Sequence, residues 1–130
     1  MPLLKFDLIE GRSPTQIKQL LDAAHEAMVQ AFAVPHNDRY QVVTQHRPHE
    51  IVAEDTGLGY PRTQDLVMLT VVSRPRQAQQ KVEFYRLLAE KLETDVGLSP
   101  DDLIVSIVEN TDADWSFGQG RAQFLTQELL

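Results

Sequence analysis

The chain begins with the apolar, strand-like stretch MPLLKFDL at residues 1–8. Proline directly follows the initiator methionine, and aminopeptidases readily remove a methionine that precedes so small a residue. A free amino-terminal proline carries a secondary amine whose pKa lies near neutrality, in the range of ordinary α-amino groups. Such an amine can act as a base, an acid or an imine-forming nucleophile. Proline is also tolerated at the start of a strand, so the dipeptide alone leaves a structural and a catalytic role for Pro2 open.

Length and composition restrict the classes of protein that this chain can belong to. Its 130 residues fit one domain, and the net charge of −7 argues against binding to nucleic acid or to an anionic membrane. The sequence has no cysteine, which excludes disulfides and thiolate metal ligands and fits a cytoplasmic protein. It shows neither a targeting pattern nor an apolar run of transmembrane length. We therefore expect a cytoplasmic protein without nucleic-acid or membrane partners.

A βαβ unit is predicted at residues 1–48. Ser13, Pro14 and Gln16 supply an N-cap, a proline at the first helical position and a capping box, so a helix should begin at Pro14. A strand follows at residues 40–44, YQVVT. Apolar residues of the helix recur at three- and four-residue steps, which predicts one buried face: Ile17, Leu20, Leu21, Ala24, Met28, Ala31 and Phe32.

The same plan repeats at residues 66–109, after a surface connection at residues 49–65 that is rich in glycine, proline and polar groups. A buried strand is predicted at residues 66–72, LVMLTVV, and a second one at residues 103–108, LIVSIV. The apolar side of the helix between them is predicted to contain Val82, Phe84, Tyr85, Leu88, Leu92 and Val96, with Gly97 closing the helix.

The predicted fold is a single α+β domain at residues 1–130. Two βαβ units give a four-stranded mixed sheet with both helices on one face. The tail at residues 110–130 is loop-like, with a last helical piece predicted at residues 121–130. Strands this apolar are expected to be buried on both faces, so we infer that subunits associate through the other face of the sheet.

Chemistry-bearing residues are predicted to meet at one end of this sheet. If the two units join antiparallel through their first strands, Pro2 lies near the stretch SRPR at residues 73–76, and Asp38 opens the second strand at the same end. Arg74 and Arg76, at the start of a helix, form an anion site suited to a carboxylate. A solvated turn would explain either arginine alone. The combination of one amine, one carboxylate and two guanidiniums instead favours a catalytic site.

The chain resembles the tautomerase superfamily of amino-terminal-proline enzymes, and within it the malonate semialdehyde decarboxylase family. The resemblance rests on PLLKFDLIEG at 2–11, NDRY at 37–40, EDTGLGY at 54–60, SRPR at 73–76 and DADWSFG at 112–118. It implies a β-α-β repeat fold assembled as a homotrimer, with Pro2 as the central catalytic group, Asp38 beside it, and Arg74 and Arg76 in the substrate site. Trp115, Phe117, Phe124 and Leu129 would form apolar walls by the same resemblance.

The activity that this resemblance implies is the cofactor-independent conversion of malonate semialdehyde, a short 3-oxo acid, to acetaldehyde and CO2. Pro2 would act as a cationic acid, and a hydratase side activity is expected. One alternative keeps the enzyme but makes Pro2 a general base that tautomerises keto and enol substrates. Another is a non-catalytic interaction protein on the same trimer fold. A retained Met1 would favour the latter, because it turns the Pro2 nitrogen into an amide.

The histidines give little indication of a metal site. His46 and His49 have an HxxH spacing, but Pro48 between them breaks a helix and no third ligand is evident. We expect no metal site there. His25 and His36 are expected to be surface or helix-end residues.

Overall fold

The computed structural model describes residues 2–130 of the chain. Its strands and long helices follow in the order β1 (Leu3–Ile9), α1 (Pro14–Phe32), β2 (Tyr40–His46), β3 (Val67–Ser73), α2 (Ala78–Val96) and β4 (Leu103–Glu109). Short 3-10 helices occur in the connections at Pro48–Glu50, Pro100–Asp102 and Asp112–Asp114. No helix of this part of the chain is long and apolar enough to cross a membrane.

The four strands form one mixed sheet in the order β2-β1-β3-β4. β1 pairs in parallel with β2, β3 pairs in parallel with β4, and the two first strands pair antiparallel with each other. The helices pack together, and their buried residues share one core with the inward residues of β1 and β3. The predicted fold class is therefore confirmed, with two βαβ units and both helices on one face of the sheet.

Local signals in the sequence explain the bounds of α1. The Ser13 hydroxyl accepts a hydrogen bond from the Gln16 backbone N–H at 3.2 Å, and the Gln16 side chain accepts one from the Ser13 N–H at 2.8 Å. This is the predicted capping box. The helix ends where Ala33 takes a left-handed conformation with φ of 53°. The predicted surface position of His25 is wrong, because its side chain is on the buried side of α1.

The buried face of α2 differs from the prediction. Its buried residues are Phe84, Leu87, Leu88 and Leu92, whereas Val82 is 64% exposed and Tyr85 is 38% exposed. Successive helical residues are rotated by about 100°, so a stripe through positions 84, 88 and 92 leaves position 82 on the far side and position 85 at its edge. Val82 thus lies on the side opposite to the one predicted, and Tyr85 lies at the edge of the buried stripe. The end of the helix was predicted well, because Gly97 takes the left-handed conformation, with φ of 69°, that glycine adopts without strain.

The carboxyl-terminal segment forms a series of turns, so the helical piece predicted at residues 121–130 is wrong. A helix of ten residues is marginal unless tertiary packing supports it. Here the left-handed Gln127, with φ of 64°, interrupts the backbone. The large apolar residues of this segment are Phe124, Leu125, Leu129 and Leu130, of which only Phe124 is buried, while Leu125 and Leu130 are exposed. Burial of this one ring holds the segment against the end of the sheet that carries the candidate site.

The second face of the sheet is not covered within residues 2–130. Side chains at alternate strand positions point away from the helices, and among them Val42 is 50% exposed and Val108 is 51% exposed. These apolar side chains are exposed on a face that also carries Lys5 and Asp7 of β1.

Candidate active site

Strand register brings Pro2 to the ends of two neighbouring strands. Pro2 is buried and precedes Leu3, which pairs with Tyr40 of β2 and with Val72 of β3. Continuing this register by one residue places Pro2 level with Ser73 and with the segment that enters β2. The antiparallel pairing of β1 with β3 therefore brings Pro2 close to residues 73–76, as predicted.

Ser73 is the centre of a hydrogen-bond cluster at the end of β3. It is fully buried, and its hydroxyl donates to the Arg74 carbonyl oxygen at 2.8 Å and accepts from the Arg76 Nε–H at 3.1 Å. A second guanidinium nitrogen of Arg76 donates to the Phe32 carbonyl oxygen at 3.4 Å. The backbone N–H of Arg76 donates to the Glu109 carboxylate at 2.9 Å. Arg76 is thus held by its backbone and by its side chain.

Arg74 is held by a different set of groups. Its guanidinium donates to the Asp112 carboxylate at 3.0 Å and to the Leu130 carbonyl oxygen at 3.3 Å. The same guanidinium lies 3.9 Å from the centre of the Phe124 ring, within the range of a cation–π contact. Arg74 therefore connects the carboxyl-terminal segment to the turn between β3 and α2.

The charges of the two arginines and of Asp38 influence one another. Burial lowers the pKa of the Arg76 guanidinium, the positive charge of Arg74 lowers it further, and the negative charge of Asp38 opposes both effects. Asp38 itself is only 6% exposed, and its backbone N–H closes a turn by donating to the Pro35 carbonyl oxygen at 3.0 Å. One carboxylate and two guanidiniums thus act on each other at the sheet end that Pro2 occupies.

Aromatic rings form one wall beside these charges. The rings of Trp115 and Phe117 stack with their centres 5.3 Å apart, and the Phe117 ring meets the Phe124 ring edge-on at 5.5 Å. Tyr40 approaches Phe117 from β2, also at 5.5 Å. The indole N–H of Trp115 donates to the Asn110 side-chain oxygen at 2.7 Å, which fixes the ring. Such a wall excludes water from one side of a bound ligand.

A small cavity opens between this wall and the turn of Asp38. Its volume is about 200 Å³, and its lining residues are Pro35, Asn37, Asp38, Tyr40, Phe117 and Leu129. Sites for drug-sized ligands measure roughly 300–1,000 Å³, so this cavity suits a smaller molecule. Arg74 and Arg76 are not among its lining residues. Phe124 links Arg74 to the wall, because its ring contacts both that guanidinium and Phe117.

A larger cavity lies at the opposite end of the sheet. It measures about 380 Å³ and is lined by Gly11, Arg12, Gln16, Gln19, Asp65, Asp95, Val96, Gly97 and Leu98. The Arg12 guanidinium donates to the Asp65 carbonyl oxygen at 2.6 Å. We favour the smaller cavity as the site, because it adjoins the buried Asp38 and the end of the sheet that carries Pro2.

The structure brings the predicted site residues to one end of the sheet, although their roles stay predictions. Met1 lies outside the described residues. Sequence reasoning missed the role of Ser73, and the alternation of Val67, Leu69 and Val71 could have revealed that Ser73 points to the core. It also missed Pro35, Asn37 and Tyr40 as lining residues, because turn and edge positions show no periodicity.

The HxxH pair lies away from this end of the sheet. The His46 Nε2 atom on β2 lies within hydrogen-bond distance, 2.7 Å, of the Asp7 carboxylate on the neighbouring strand β1. His49 follows in a short 3-10 helix. Across residues 2–130, no group of three or more histidine, cysteine, aspartate or glutamate residues could hold a metal ion.

Two family models described as tautomerase enzymes match the chain, one over residues 38–118 and one over residues 2–60. The probable tautomerase YrdN of Bacillus subtilis (strain 168) is 58% identical over 129 residues, which cover 99% of this chain and 100% of the relative. The chain belongs to the tautomerase family.

Two solved structures share this tautomerase fold over nearly their whole length. The first comes from a study of wild-type, mutant and inactivated malonate semialdehyde decarboxylase, which presents these structures as a structural basis for decarboxylase and hydratase activities. Its match has 67% identity and a TM-score of 0.97 and covers 98% of this chain and 99% of that chain. The other is FG41 malonate semialdehyde decarboxylase inhibited by 3-bromopropiolate, with 38% identity and a TM-score of 0.93, covering 98% of this chain and 97% of that chain.

Proposed function

We propose that the protein is a cofactor-independent decarboxylase that converts malonate semialdehyde to acetaldehyde and CO2. The observation that carries this proposal is the match to malonate semialdehyde decarboxylase at 67% identity with a TM-score of 0.97. The clustering of Pro2, Asp38 and two arginines at one end of the sheet supports it. Removal of CO2 from a short 3-oxo acid without a cofactor needs an acid at the carbonyl oxygen and groups that hold the substrate carboxylate. The amine, stabilised by the carboxylate, can be that acid, and the guanidiniums can hold the substrate.

Pro2 is the proposed acid. Its nitrogen, once Met1 has been removed, is a secondary amine at the buried end of β1. A carboxylate within a few ångströms stabilises the protonated form of an amine, and Asp38 stands at the entrance of the adjacent parallel strand. A cationic Pro2 can then donate a hydrogen bond to the aldehyde oxygen of the substrate.

Decarboxylation requires stabilisation of negative charge on that oxygen. The bond between the methylene carbon and the carboxylate carbon breaks, CO2 leaves, and the electron pair moves into the carbonyl system to give an enolate. The Pro2 ammonium stabilises the charge where it develops. The methylene carbon then gains one proton, so substrate anion plus one proton gives acetaldehyde plus CO2.

The arginines contribute mainly through position. A guanidinium that only bound the carboxylate would stabilise the ground state and would not raise kcat. Holding the carboxylate out of the carbonyl plane aligns the breaking bond with the carbonyl π system. The hydrogen bond from Arg76 to Ser73 and the one from Arg74 to Asp112 give each guanidinium the restricted geometry that this role needs.

The apolar wall contributes by lowering the local polarity. Its proposed residues are Trp115, Phe117, Phe124 and Leu129. A carboxylate that becomes neutral CO2 loses charge during the reaction, so a site with little water favours the transition state over the ground state. The same amine and arginines could add water to an unsaturated 2-oxo acid, so we include a hydratase side activity in the proposal.

A decarboxylation assay tests the proposal. Purified protein whose methionine-free amino terminus has been verified by mass spectrometry is mixed with malonate semialdehyde, and acetaldehyde is followed. We expect rapid formation with the wild type and a large loss in Pro2→Ala. Tautomerisation of phenylenolpyruvate without acetaldehyde above the buffer rate would instead identify Pro2 as a general base. That alternative is favoured by the description of YrdN as a probable tautomerase.

We also propose that the protein forms a homotrimer through the uncovered face of its sheet. The exposed Val42 and Val108 on that face support association, and the family resemblance supports the number of subunits. The cytoplasmic location stays a prediction.

A further inference from the structure

His25 occupies an unusual position for a histidine. Its side chain is 1% exposed, and its Nε2 atom lies 2.7 Å from the carbonyl oxygen of His36. Because a carbonyl oxygen only accepts hydrogen bonds, Nε2 must carry the proton in this contact. The His25 ring also meets the His36 ring edge-on, with the centres 4.8 Å apart.

The other ring nitrogen of His25 indicates that packing alone does not explain this residue. Nδ1 is buried and has no hydrogen-bond partner among residues 2–130. Buried polar atoms usually have a partner, and one that does not is a cost that an apolar residue would avoid. The bond from Nε2 to the His36 carbonyl is the feature that an apolar residue could not supply.

The carbonyl that His25 binds belongs to the turn that carries Asp38. This turn is closed by the hydrogen bond from the Asp38 N–H to the Pro35 carbonyl oxygen, and His36 lies inside it. Asp38 is buried and lines the candidate cavity. The contact to His25 therefore fixes the backbone two residues before the carboxylate.

The same helix also holds the chain on the other side of Asp38. The Arg39 guanidinium donates to the Asp22 carboxylate at 2.7 Å, and the Gln41 side-chain amide donates to the Leu21 carbonyl oxygen at 2.7 Å. The Arg39 and Asp22 side chains are 35% and 39% exposed, and such surface pairs contribute little. The contact of the buried His25 side chain is therefore a stronger restraint than this ion pair, and it acts inside the turn, whereas the Gln41 bond acts three residues after Asp38.

We infer that His25 is a positioning residue for Asp38, acting through the His36 carbonyl oxygen. The inference rests on the proposed function, in which the Asp38 carboxylate stabilises a cationic Pro2. Without the bond, the turn is free to shift and the carboxylate to move away from the amine. Because the attraction between two charges falls with distance, the prolyl nitrogen would then lose its proton at a lower pH.

The test compares His25→Leu, which removes the donor, with His25→Gln, whose amide N–H reaches about as far as Nε2. His49→Leu is the matched control, because it makes the same replacement at an exposed histidine. We expect His25→Leu to lower the prolyl titration midpoint and to move the alkaline limb of the kcat profile to lower pH by the same amount, with KM little changed. We expect His25→Gln to recover most of both quantities and His49→Leu to match the wild type.

An unmoved prolyl midpoint in folded His25→Leu would overturn the inference, even if activity fell in proportion to lost stability. If that variant does not fold, nitrogen NMR of the wild type decides the question, since an Nδ1–H tautomer of His25 would also overturn it. Failure of the proposed function gives a different result. In that case the wild type forms no acetaldehyde, while the prolyl midpoint and the tautomer still report on the positioning of Asp38.

Discussion

Replacing Ser73 by alanine should reduce activity although both arginine side chains stay in the protein. The change removes the hydroxyl that donates to the Arg74 carbonyl at 2.8 Å and accepts from Arg76 Nε at 3.1 Å. A net contribution of about 0.5–1.5 kcal/mol is typical of a neutral hydrogen bond, and about 1.5–3 kcal/mol of one to a charged group. Because only the second bond orients a guanidinium that would hold the substrate, we expect a loss of about 1.5–3 kcal/mol in transition-state binding.

This loss corresponds to a roughly 10- to 150-fold fall in kcat/KM, since about 1.4 kcal/mol is a factor of ten. The assay follows acetaldehyde formed from malonate semialdehyde by Ser73→Ala and by Ser99→Ala. Ser99 is an exposed cap at the opposite end of the sheet, where its hydroxyl accepts from the Asp101 N–H at 3.2 Å. Its replacement removes the same atoms and should leave kcat/KM unchanged. A Ser73→Ala enzyme with wild-type kcat/KM would refute the reasoning that Ser73 orients Arg76.

Three further predictions concern charge and assembly. Asp38→Asn should lower the titration midpoint of the Pro2 nitrogen and reduce decarboxylation at neutral pH, and an unchanged NMR titration would show that the pairing is wrong. Hydrogen bonds from the Arg76 N–H and Lys81 lower the pKa of Glu109, so its contribution is present above its ordinary pKa and is lost as the pH falls through its folded-state pKa. Glu109→Gln should flatten this acid limb in pH-dependent unfolding, and an unaltered limb would contradict the assignment. Sedimentation equilibrium should give a trimer at micromolar concentration, whereas a stable monomer would exclude association through the sheet.

Much of the fold could be predicted because its signals are local. The capping box at Ser13 and the left-handed glycine at Gly97 act within one helical turn, so the sequence contains the whole interaction. The side of α2 that is buried was predicted less well. Val82 is apolar and Tyr85 has an aromatic ring, as buried residues of this helix do, and only the path of the helix across the sheet decides which residues face the core.

In the candidate site, too, some features could be predicted from the sequence and others depend on tertiary packing. The position of Pro2 relative to residues 73–76 follows from topology alone, because an antiparallel pair brings the start of one strand to the end of the other. The alternation of β3 indicates the inward direction of Ser73, but its bonds to Arg74 and Arg76 depend on how the turn after the strand folds. The contact of His25 could not be predicted, since it is made to the backbone oxygen of His36 beyond the end of the helix. Residues that position a catalytic side chain are therefore harder to recognise in the sequence than the charged residues of the site.

Titration of the Pro2 nitrogen tests the central claim most directly. Methionine-free protein labelled with nitrogen-15 in proline would be followed by NMR across the pH range around neutrality. Because Asp38 stabilises the ammonium form, the account predicts a midpoint above the range of about 7.7–8.0 that is typical of α-amino groups. A midpoint well below neutrality would leave Pro2 uncharged under working conditions and would contradict its role as the cationic acid.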